Sequence, residues 1–227
     1  MDLFDYMKEV NEKEDAPLAS RLRPDSLDSI VGQEHILGKD KFLYRAIKAD
    51  KLSSIIFFGP PGCGKTTIAK IIANTTKSNF KQINATTAGK KEMEEAISEA
   101  KISFSMYKKK TILFIDEIHR FNKSQQDYLL PFVEDGTVIL IGATTENPFF
   151  EVNKALISRS RLLELKPLSY QDIENILDRA IKDKERGMGR YEVEISKEAV
   201  EFISKSTDGD ARSALNALEL AILTTDI

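Results

Sequence analysis

A nine-residue run, GPPGCGKTT from Gly59 to Thr67, and a carboxylate pair, Asp116 and Glu117, are the residues of this chain whose types and spacing suggest chemistry. Gly59, then Pro60, Pro61, Gly62 and Cys63, then Gly64, Lys65 and Thr66 have the spacing of a loop that wraps phosphate. Glycines let the backbone turn inward so that its N–H groups surround phosphate oxygens, and a helix opening at this point adds positive potential. Lys65 would then neutralise the β and γ phosphates, and the Thr66 hydroxyl would ligate Mg2+. Thr67 completes the loop. Cys63 reads as a small space-filler, although a thiol near a helix N-terminus also suggests that alkylation would block nucleotide binding.

The carboxylates close the run TILFID, some 50 residues after the loop. On their own, two acids at a strand end are as readily solvated charges. With a phosphate loop upstream in a parallel sheet, they emerge at the carboxyl edge where open α/β folds bind ligands. Asp116 can then hold hydrated Mg2+, and Glu117 can polarise an attacking water.

These side chains need strands and helices to hold them. Short apolar, β-branched runs recur at 53–59, 80–85, 111–116, 138–144 and 161–165, with a helical pattern such as 90–107 between them. Strands alternating with helices predict a parallel sheet covered on both faces. After Pro167 the pattern is helical only. Ser169, Ser196 and Asp210 stand at N-cap positions, and Ile173, Ile176, Leu177 and Ala180 form one apolar stripe. The expected organisation is an arm at 1–16, an α/β domain at 17–166 and a small all-helical domain at 167–227. The arm is charge-rich and without period, which reads as a mobile segment rather than as a docking peptide at its DLF.

With 227 residues, 41% hydrophobic and 30% charged, the chain can bury a core without staples. A single cysteine excludes a disulfide framework. No apolar run approaches the roughly 20 residues that span a bilayer. The N-terminus lacks a signal pattern. A cytoplasmic protein with no membrane partner is expected. A net charge of −3 gives no overall positive field for nucleic acid, so any DNA contact must be local.

Among phosphate-loop proteins, a GTPase would read guanine with Asn-Lys-x-Asp, but NKSQ places Gln125 where the Asp belongs. DEIH followed by GAT matches a helicase box. A helicase motor needs a second α/β domain, and only a small helical segment follows.

Taken in order, the phosphate loop, DEIH, LIGATTENP, ALISRSRLLEL and GDARSALN resemble the AAA+ ATPases of the clamp-loader group over about residues 17–227. The longer runs PLASRLRPDSLDSIVGQEHI, DEIHRFNKSQQD and GATTENPFFEVN resemble the replication-associated recombination protein A (RarA) family, related to eukaryotic Werner-helicase-interacting ATPases. The resemblance implies an AAA+ P-loop core with a parallel five-stranded sheet and a helical lid. It also implies a Mg2+-dependent ATPase acting on DNA in fork maintenance, recombination and repair, near single strands, their binding protein, duplex ends and other replication proteins. Within it, Ile30, Val31 and Gly32 cup adenine, with Arg21 and Pro24 just upstream. Thr144 is sensor 1, with Thr145 and Asn147 as neighbours in register. Arg159 is the arginine finger, with Arg161 as the alternative, and Arg212 is sensor 2. Lys90, Lys91, Arg120 and Lys123 fall on loops and helix starts that face DNA in clamp loaders, though each is also an ordinary solvated charge.

The family's C-terminal collar has no counterpart before Ile227. The expectation is a homo-oligomer for a longer parent protein, and a monomer or weak oligomer with poor ATPase activity for this chain. The reading from another class is an ATP-binding adaptor that recruits replication proteins, with hydrolysis incidental.

Overall fold

A computed structural model describes residues 16–76, 78–191 and 193–225; except for Ala16, the expected arm lies outside them. In chain order the elements are α1 (Leu18–Arg21), α2 (Glu34–Leu37), α3 (Phe42–Lys48), β1 (Ile55–Phe58), α4 (Lys65–Thr75), β2 (Asn79–Asn84), α5 (Lys90–Tyr107) and β3 (Thr111–Asp116). They continue with α6 (Lys123–Glu134), β4 (Val138–Thr144), α7 (Pro148–Glu151), α8 (Lys154–Ser158), β5 (Arg161–Glu164), α9 (Tyr170–Lys182), α10 (Lys197–Ser206) and α11 (Ala211–Thr224). Short 3-10 turns occupy Leu27–Ser29, Ile118–Arg120 and Gly189–Tyr191.

The five strands form one sheet in the order β2-β3-β4-β1-β5, and every pairing is parallel. Parallel neighbours need crossover connections, so helices cover both faces and the central strands are apolar throughout. On β3, Ile112 and Phe114 enter one core with Ile55, Phe57, Ile68 and Ile72. The alternate residues Leu113 and Ile115 enter the other, with Ile56, Met93, Ile97 and Leu129. Register sets the functional edge. Asn84 pairs with Asp116, while Phe58 pairs with both Thr144 and Glu164, so all five strands deliver their last residues to one border.

Among the described residues two compact units divide the chain: one within 25–166 holds the sheet, and in the other residues 16–24 group with those after Lys166. The expected α/β domain began at residue 17, but the segment before Asp25 packs with the helices instead. Leu18 is fully buried among Ile173, Leu177, Leu215 and Leu218, and Arg21 forms a 2.9 Å ion pair with Glu219. In the helical unit Ser169, Ser196 and Asp210 each accept a backbone N–H as N-caps. Among the described residues, no helix is long and apolar enough to cross a membrane.

Candidate active site

After β1 the chain must turn beneath the end of β5. Gly59 has φ +146°, and a Cβ on it would lie 2.1 Å from the Leu165 carbonyl oxygen, so only glycine fits. Gly62 and Gly64 are also left-handed, and Gly64 caps α4 without a side chain, which leaves that helix's first N–H groups clear. Lys65 is 8% exposed, and its Nζ donates to the carbonyls of Gly59 and Pro60, both at 2.7 Å. The Cys63 thiol is buried and donates to the Pro60 carbonyl at 2.9 Å, so a reagent reaches it only if the loop opens. Pro61 is exposed at the tip of the loop, and Thr67 is half-buried beside Thr66.

The loop and the carboxylates meet across the sheet, with Thr66 Oγ1 3.4 Å from Asp116 Oδ2. A hydroxyl and a carboxylate converging in this way are oxygen donors suited to Mg2+, which keeps most of its shell for phosphate and water. Among the described residues, no three His, Cys, Asp or Glu side chains gather as an all-protein metal cage. Glu117 follows with φ +54°, an uncommon left-handed conformation for a non-glycine residue. Its Oε2 is buried and makes no hydrogen bond.

Of the three residues considered for sensor 1, only Thr144 turns inward. It is fully buried, with Oγ1 2.9 Å from His119 Nδ1 and accepting the Glu146 N–H at 3.0 Å. Thr145 is exposed, and the Asn147 side chain caps α7 by accepting from Phe149 N.

On the border beside β5, Ile30 packs on the core and Val31 is half-buried. Gly32 and Gln33 are both left-handed, and this swings the buried Gln33 amide towards the phosphate loop. Gln33 Nε2 donates to the carbonyls of Cys63 at 3.3 Å and Lys166 at 2.7 Å, and Oε1 accepts Lys166 N–H at 3.1 Å. One bond therefore ties the segment after Ile30 and Val31 to the phosphate loop, and two tie it to Lys166 just beyond β5. Arg21 and Pro24, expected just upstream of this segment, group with the helical unit instead.

The two candidate fingers are held differently. Arg161 lies over the Phe42 ring at 4.0 Å. Arg159, at the end of α8, pairs with Glu134 at 2.6 Å and donates to the Ala155 carbonyl at 2.9 Å, all on an exposed surface. The seat of α8 comes from buried Gln126, which donates to the carbonyls of Phe121 and Glu151 and accepts from Asn153 N, while the Asn153 side chain caps α8. Arg212 is exposed in the first turn of α11, next to its Asp210 cap.

The cations expected near DNA fall into two pairs. Lys90 and Lys91, in the first turn of α5, are matched with Glu94 at 3.4 Å and Glu95 at 3.9 Å. Arg120 and Lys123 are exposed just after the carboxylates, and among the described residues their side chains make no ion pair. The NKSQ run also has a local explanation, because Asn122 and Gln125 form a reciprocal capping box on α6.

Sequence reasoning missed Gln33, His119 and Gln126 as members of the site. The signals were present, since each is a polar residue beside an apolar run or a motif, but their partners are distant carbonyls or side chains that no local spacing identifies.

Residues 55–168 match the AAA family, the ATPase family associated with various cellular activities. The chain is 49% identical over 211 residues to a replication-associated recombination protein A of Haemophilus influenzae, covering 93% of this chain and 47% of that protein. It is 50% identical over 204 residues to the protein of the same name in Escherichia coli K12, covering 90% of this chain and 45% of that one. The chain thus spans about half the length of the curated relatives it matches. Among solved structures, the Thermotoga maritima RuvB Holliday junction branch migration motor superposes with a TM-score of 0.71 at 31% identity, covering 91% of this chain and 68% of that one.

Proposed function

The chain belongs to the AAA ATPase family, grouping there with the replication-associated recombination protein A relatives, and on that premise we propose that it binds Mg2+ and ATP along the carboxyl edge of its sheet and hydrolyses ATP where two subunits meet. The observation that carries the reading is the convergence of Thr66 on Asp116 across 50 residues of sequence, with buried Lys65 on one side and Glu117 on the other.

In this reading the loop N–H groups of residues 62–66 and the α4 N-terminus cradle the phosphates. Lys65 leaves its two carbonyl partners for the more strongly attracting β and γ oxygens. Thr66 and Asp116 would hold Mg2+, which when bound supplies positive charge to the phosphate oxygens. Glu117 accepts a proton from water as the water oxygen bonds to the γ-phosphorus. The bond from that phosphorus to the bridging oxygen breaks, its electron pair leaves with ADP, and the proton passes on to solvent. Thr144 orients the water as sensor 1, and Ile30 and Val31 line the adenine side. Arg159 crosses to the neighbouring subunit's ATP. Arg212, by its resemblance, acts as sensor 2.

We assign the turnover to DNA transactions at replication forks, in recombination and in repair, on single strands, ends or forks and alongside the single-strand-binding protein. The names of the relatives support this, and so do Arg120 and Lys123, exposed beside the carboxylates and without ion-pair partners among the described residues. The test is ATP hydrolysis by the protein with single strands, blunt ends and gapped forks. Stimulation by at least one of them is expected, and a flat response to all would overturn the DNA assignment. A Glu117→Gln variant that keeps fork-related function would instead favour an adaptor whose hydrolysis is incidental.

A further inference from the structure

The 3-10 turn Ile118–Arg120 folds the chain back directly after the carboxylates and carries His119 into the site, its side chain only 8% exposed. One ring nitrogen, Nδ1, lies 2.9 Å from Thr144 Oγ1 and 3.3 Å from Glu117 Oε2. A ring nitrogen offers either one hydrogen or one lone pair, so it serves one of these oxygens at a time. The shorter distance goes to Thr144, and Glu117 Oε2 is left buried without a hydrogen bond. An unpaired carboxylate oxygen is a costly thing to bury, and the nearest side-chain group able to relieve it is already engaged.

We propose that His119 is a positioning residue that couples Thr144 to Glu117 by exchanging a single hydrogen bond between them. This rests on the roles proposed above for those two residues. When the Thr144 hydroxyl turns to a terminal phosphate, Nδ1 is released, and in the Nδ1–H tautomer that the exchange requires it redirects its N–H as a hydrogen bond to Glu117 Oε2, which stays ionised. That bond fixes the carboxylate with Oε1 directed at the water. The carboxylate is thereby set for proton transfer only when a γ-phosphate is present, and ADP leaves the first bond in place. Glu117 enters the turn with a left-handed backbone, which provides the close return that brings its carboxylate within 3.3 Å of His119 Nδ1.

The chain has two histidines, so side-chain 15N spectra of histidine-labelled protein contain His119 and one internal control, His35, which contacts the Glu164 carbonyl. The expected result is a His119 Nδ1 resonance that moves with Mg2+ and a non-hydrolysable ATP analogue but not with Mg2+ and ADP, while His35 stays fixed. His119→Ala should lower kcat about 10- to 100-fold, the cost of a misplaced catalytic group, with ATP affinity held within about 3-fold. His119→Asn keeps an N–H close to the Nδ1 position and should recover much of the rate. The double variant His119→Ala/Thr144→Val should be no slower than the slower single variant by more than about 2-fold, because both act through one bond. Identical His119 shifts with both nucleotides, unchanged kcat in His119→Ala, or fully additive losses would each overturn the proposal. If His119→Ala does not fold, the spectra of the unaltered chain still decide. Failure of the unaltered chain to bind ATP would sink the ATPase reading itself and is seen separately.

Discussion

Lys65 and Arg159 are both cations of the candidate site, and they are held in opposite ways. Lys65 is buried and donates two 2.7 Å bonds inside its own loop, beside a loop segment tied down by Gln33. Arg159 is exposed, and its 2.6 Å pair with Glu134 sits where water competes, at side-chain exposures of 39% and 48%. Exposed pairs are worth about 0–1 kcal/mol, so a better anion can displace Glu134 at little cost. A buried lysine bound to carbonyls exchanges them only for something as strong as phosphate. In the proposed function this difference separates parts that one chain completes from parts offered to another. The proposed nucleotide edge is assembled within the α/β unit by register and core packing, whereas Arg159 is held loosely on a surface.

Arg159→Ala should leave ATP affinity unchanged but lower hydrolysis in a subunit assembly by about 10³- to 10⁵-fold, the usual worth of such a finger; mixing with Glu117→Gln subunits and measuring recovered turnover checks that it acts in trans. Glu117→Gln should cost about 10²- to 10⁴-fold in kcat with binding intact, since only proton transfer is lost. Lys65→Ala should weaken ATP binding by roughly 100-fold, as one charge-assisted contact of about 1.5–3 kcal/mol disappears; titration with a fluorescent nucleotide reads this directly. Gln33→Leu leaves the Cys63 and Lys166 carbonyls without their partner, so thermal unfolding should register about 1–3 kcal/mol of lost stability together with a several-fold rise in the ATP dissociation constant. The smallest effect is expected on the DNA side. Neutralising Arg120 and Lys123 should flatten the salt dependence of DNA binding by about one to two units of slope, and neutralising Lys90 and Lys91 by less, because Glu94 and Glu95 already offset them.

Most of the sheet was legible in the sequence, because strands buried on both faces are apolar at nearly every interior position and bounded by turn residues. TILFID and VILIGAT became β3 and β4 with the bounds expected at 111–116 and 138–144. The shorter helices α2 and α3 carried no such signal, and the segment around Leu18 and Arg21 gave no sign that it belongs with helices some 150 residues later. Within the candidate site, the phosphate loop and the carboxylates were readable because glycine strain and strand-end acids leave local patterns. His119 was read only as the last letter of a helicase-like box. Its partners, Thr144 and Glu117, come together through strand register and a left-handed residue, and neither is visible in spacing alone.

In the proposed function one chain builds the nucleotide edge and a second completes it. Single-turnover ATP hydrolysis per chain, followed from nanomolar to tens of micromolar protein with Glu117→Gln as the blank, tests it most directly. A rate that rises with concentration while ATP affinity stays constant is the predicted result; a rate per chain that is independent of concentration would contradict it.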